Sequence, residues 1–222
     1  IEKFSVAIQE NQYYAKAYNE RGLAYYALGD MTTAISEIEA ARSQGLDDIS
    51  LNWNLGWVYY LTGQYDKAIE TNERILADHP EVLGMRMNQA VSYLSRGDFE
   101  NSQAQYNLLI QEAQRQVDEA HQNGVEPSAS LWYYMDAGSL DLQNLISQLD
   151  QNPKAWTQAP TADLITGDHA AIRQFALGQI KRLKEATVSL EYTGKLPATP
   201  TSMQVEPFVI GQVTGEDEQG LI

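Results

Sequence analysis

The chain of 222 residues carries 15 basic and 30 acidic side chains, a net charge of −15, 43% hydrophobic residues and no cysteine. Without cysteine there can be no disulfide, thiolate metal site or cysteine nucleophile. The acidic field repels phosphate backbones and anionic lipid, so no nucleic-acid partner is expected. No apolar run approaches the ~18 residues that span a bilayer, and the compartment, cytoplasmic or extracytoplasmic, stays open.

In chain order, residues 1–14 predict one helix, with Phe4 and Ala7 in the phase that later segments give to an aromatic and a small residue. The next stretch sets up a repeat. Gly29, Gly63 and Gly97 stand 34 residues apart, each with a tyrosine four residues earlier (Tyr25, Tyr59, Tyr93). Two residues after each glycine comes Met31, Tyr65 or Phe99, and five after it comes Ala34, Ala68 or Ser102. Each glycine suits a left-handed helix end. Asp30 and Asp98 can cap the helix that follows, and Gln64 does so poorly. A fixed period of this length predicts helix pairs stacked in a row.

On these residues the chain resembles the tetratricopeptide repeat family. The copies run over 15–48, 49–82 and 83–124, with residues 1–14 as a half repeat. The chain thus begins inside a repeat, which suggests a fragment or processed product. Arg21 and Gln89 stand where the family usually has leucine, and Gln114 stands where the second copy has Pro80. With no breaker before Gly124, the helix starting near Asp98 is expected to run about two extra turns, its polar tail projecting into solvent. The resemblance implies an all-α, right-handed α-α superhelix, a noncatalytic scaffold whose first helices line a concave groove.

Beyond the repeats, Ser128 can cap a new helix, and Tyr134, Gly138 and Leu140 repeat the aromatic–glycine–apolar phase. Residues 125–153 therefore read as a degenerate fourth helix pair, within a 125–192 unit that ends in a capping helix. Residues 153–167 read as a loop with one short helical turn. Asp168 opens an amphipathic helix with Ile172, Phe175, Ala176, Ile180, Leu183 and Leu190 on one stripe. Residues 193–222 read as a proline- and threonine-rich linker and a short extended tail.

The groove positions that the resemblance implies include Asn19, Leu23 and Tyr26 in the first copy. The second contributes Trp53, Asn54, Trp57 and Tyr60, and the third Met87, Asn88 and Val91. Exposed aromatics on a concave wall suit an interface, and the asparagines can read a peptide backbone. Trp53 and Trp57 have a second reading, packing on a neighbouring helix or on the C-terminal segment around 203–213. A cationic clamp for a terminal carboxylate is not expected, because Gly84 and Asn88 replace the basic residues such a clamp needs.

Three histidines, His79, His121 and His169, lack metal-ligand spacing, and no phosphate loop or nucleophile elbow is present. No cofactor, metal or enzymatic activity is expected. The reading is a protein–protein interaction scaffold that binds a peptide or partner segment, its own tail or another copy. The alternatives are a rigid spacer or oligomerisation module, or the regulatory part of a larger multidomain enzyme.

Overall fold

The computed structural model describes residues 1–151 and 158–190. Among them are nine α-helices and no strand. The helices are α1 (Glu2–Glu10), α2 (Ala15–Ala27), α3 (Met31–Ser43), α4 (Ile49–Leu61), α5 (Tyr65–Asp78), α6 (Leu83–Arg96), α7 (Phe99–Gln122), α8 (Ala129–Leu149) and α9 (His169–Ser189). The linker and extended tail expected from residue 193 lie outside the described residues.

Helix ends follow the repeat. Gly29, Gly63 and Gly97 adopt φ values of +82°, +73° and +86°, a region side chains rarely tolerate. Asp30 accepts from the backbone N–H of Thr33 at 3.1 Å and Asp98 from that of Asn101 at 3.2 Å. Gln64 makes no such side-chain bond. The glycines therefore stop the first helix of each pair, and the aspartates start the second wherever one is present.

Each pair packs on itself and on the next. The tyrosine four residues before the glycine reaches back to the preceding pair. Tyr93 Oη donates to Glu73 at 3.0 Å, and one period earlier Tyr59 Oη donates to Glu39. Arg21, where the family favours leucine, makes a two-pronged ion pair with Glu37 at 2.8 and 3.0 Å and donates to Ser5 at 3.1 Å. A charged fork thus joins α1, α2 and α3 where apolar packing would serve elsewhere.

The long helix is present as expected, but its tail is only partly solvated. α7 runs 24 residues, and its stripe Leu109, Ala113 and Val117 is fully buried in the main core. The fourth helix pair expected within 125–153 is corrected by the structure: α8 is one continuous helix of 21 residues. Gly138 lies inside it as a packing contact. A Cβ there would meet Leu183 at 3.4 Å and Met87 at 3.5 Å. The partner of α8 is α9, which Asp168 caps by accepting from Ala171 N–H at 2.9 Å.

This last pair departs from the repeat geometry. The first helices α2, α4, α6 and α8 form an inner row in contact along the stack. α9 rests on α7, where Arg182 donates to Asn107 at 2.6 Å and Phe99 meets Phe175 at 5.4 Å. The described part of the segment returning to α9 contains a 3₁₀ turn, Ala162–Leu164. It ties down on the turns of the second and third repeats: Thr166 and Gly167 N–H donate to Ser95 O at 3.1 and 3.3 Å, and Tyr65 Oη donates to Leu164 O at 3.1 Å. Leu164 also fits against Gly63, and Gly167 against Gly97.

Candidate functional site

The inner row lines a cavity of ≈ 90 Å³ that is open on one side. α2 contributes Leu23 and Tyr26, and α4 contributes Trp53, Asn54, Trp57 and Val58. Met87 of α6 lies between them, and Tyr133, Tyr134, Ala137 and Asp141 of α8 close the far side with Gln158. The side chains of α8 fall at i, i+1, i+4 and i+8, one face of a helix. That face turns inward because α8 leans across α6 far enough for Tyr134 to meet Trp53 of α4, with ring centroids 5.5 Å apart.

Gly84 permits that contact. Its position in α6 lies directly beneath the Trp53 ring, and a Cβ there would fall 1.6 Å from the indole. Trp57 is held differently: its Nε1–H donates to Tyr26 Oη at 3.2 Å, and its ring lies 5.1 Å from that of Tyr60. Both tryptophans end half-buried, so each serves as cavity wall and as packing surface.

Of the groove residues expected from sequence, Leu23, Tyr26, Trp53, Asn54, Trp57 and Met87 line this cavity. Tyr60 and Val91 are fully buried, while Asn19 and Asn88 are 6% and 4% exposed; none of the four lines the cavity. Asn54 Nδ2 is buried without a hydrogen-bond partner, as are Asn19 Oδ1 and Asn88 Oδ1. Unpaired amides at such depth are uncommon and destabilising. Docking of residues 203–213 into the groove lies outside the described residues, although the chain's own segment 158–167 does cover its edge at Ser95.

Sequence reasoning missed the contribution of α8. Tyr133, Tyr134, Ala137 and Asp141 were hidden by reading Gly138 as a turn. The spacing that would have exposed them is Tyr134, Ala137 and Asp141 at i, i+3 and i+7, a helical stripe that continues straight through the glycine.

Asp141 is the anomalous group. It is half-buried, and loss of water pushes its carboxyl from the ordinary 3.8 up to about 7. The titratable side chains that feel its charge are tyrosines from four helices: Tyr26, Tyr60, Tyr106 and Tyr133. Burial raises all four phenols, and the nearby carboxylate raises them further. No lysine or arginine among the described residues lies close enough to bring the carboxyl back down.

Stacked helix pairs sharing an inner row define a helical-repeat solenoid. The sequence model of the tetratricopeptide repeat matches residues 19–82 and, one repeat later, 54–117. Residues 19–117 are thus tetratricopeptide repeats, which generally mediate protein–protein interaction. No curated protein matches it.

Proposed function

We propose that the protein is a noncatalytic interaction scaffold that holds a segment of a partner polypeptide on its inner row, anchored at the cavity between α4 and α8. The observation that carries this reading is the wall itself. Trp53, Trp57, Tyr26 and Tyr134 converge on one opening beside the unpaired Asn54 amide. Aromatic side chains supply large contact area with few rotatable bonds, and they dominate binding hot spots. An amide in the same wall adds a directional contact for a peptide backbone. Among the described residues no cluster of three metal-ligating side chains occurs, and no helix is long and apolar enough to cross a membrane.

The test is a random-peptide selection on the full chain, followed by photo-crosslinking. A benzophenone amino acid placed at Tyr26 should capture the enriched peptides. The same group at Val188, which is 87% exposed on α9, should not. Equal capture at both positions, or capture at Val188 alone, would remove the inner row as the binding surface.

A further inference from the structure

We propose that the cavity between α4 and α8 receives a positively charged side chain, lysine or arginine, of the bound polypeptide, with Asp141 as its counter-ion and Trp53, Trp57, Tyr26 and Tyr134 as its walls. This rests on the inner-row reading above and specifies the chemistry of its anchor.

Three features support it. First, aromatic rings grouped around a small opening attract cations through their negative faces, an attraction that strengthens once water is excluded. Second, among the described residues Asp141 is the sole acidic one in the lining, and it has no hydrogen bond or ion pair with another of them. A carboxylate in that position is unfavourable until a cation arrives. Third, the cavity of ≈ 90 Å³ has room for one side chain or a few waters rather than a folded element.

The surroundings agree in sign. The whole chain carries −15, which favours the approach of a basic segment and disfavours an acidic one. Asn54, whose buried Nδ2 has no partner, stands in the same wall. A polypeptide source is preferred over a free small cation because the cavity is lined from all four inner-row helices, across which an extended chain would lie, as in other groove binders.

Peptides enriched on the full chain are resynthesised with each lysine replaced by norleucine and each arginine by citrulline, which removes the charge and keeps the length. One such replacement should weaken binding about tenfold or more to the intact protein. Against Asp141→Asn, which preserves shape, the charged peptide should bind as weakly as its neutral analogue does to the intact protein, and the replacement should change affinity less than about threefold. Crosslinking at Tyr26 with no effect of the replacements would overturn the cation proposal and leave the inner-row reading standing. Loss of crosslinking at Tyr26 would overturn both. Tetramethylammonium binding more tightly than every selected peptide would also overturn it, by showing a small-molecule cation site.

Discussion

Asp141 penalises the fold that contains it. Its folded-state carboxyl titrates near 7, against 3.8 for the free group. Between those values the native chain holds a proton that the unfolded chain has released. The contribution of this one group to stability is therefore most favourable below about pH 4, falls as pH rises toward 7, and is flat above that. Asp141→Asn removes the penalty. We expect it to raise unfolding free energy by about 2–4 kcal/mol at pH 8 and by almost nothing at pH 4. Urea midpoints at the two pH values measure this, and an equal shift at both would show that burial does not perturb the carboxyl. A side chain that weakens the fold at neutral pH while facing an aromatic cavity is a natural candidate for binding. The same scale shows what the sequence hid. Trp53 and Trp57 were legible as groove residues because the period placed them. The half-burial of Trp53 was not, because it depends on Gly84 and on Tyr134, which are distant along the chain.

Among elements, the repeated helices were legible from the period of their glycines and caps. Glycine, aspartate and tyrosine act locally there, and each copy restates the same instruction. α8 was misread for a physical reason. Gly29, Gly63 and Gly97 all take positive φ, whereas Gly138 stays helical so that Met87 and Leu183 can approach. The two uses of glycine look alike in sequence, and only the tertiary neighbour distinguishes them. The return segment before α9 shows the close-approach use again. A Cβ on Gly167 would lie 2.6 Å from Gly97 Cα and 2.8 Å from its nitrogen, and backbone cannot step aside as a side chain end can. Gly167→Ala should therefore destabilise the protein by about 1–3 kcal/mol, read as a lowered midpoint in thermal unfolding. A neutral result would mean that the segment is not seated on the third repeat's turn.

Across the whole molecule, stability is unevenly distributed, as expected for a stack in which each layer touches only its neighbours. α1 has no buried residue and is held chiefly by α2, with Ser5 meeting Arg21. α6 lies at the opposite extreme: 12 of its 14 residues are buried between the pairs on either side. Amide hydrogen exchange should accordingly be fastest in α1, intermediate in α2 and α3, and slowest in α4 to α6. Uniform protection from α1 to α6 would show a single cooperative unit instead of a graded stack. The acidic surface acts at this scale too, because a charge of −15 affects the rate at which a basic partner arrives more than the tightness with which it is held.

The return segment also has a mechanical meaning. A solenoid is a spring, with compliance set by how far successive turns can slide against one another. Here a thread from the far end is stitched to the second and third coils, through Ser95, Tyr65 and the paired glycines Gly97 and Gly167. Those coils cannot open fully without breaking the stitches, whereas among the described residues no such hydrogen bond reaches the first coil. Under load the molecule would stretch from the first coil, drawing Leu23 and Tyr26 out of the cavity wall while the stitched second and third coils hold together.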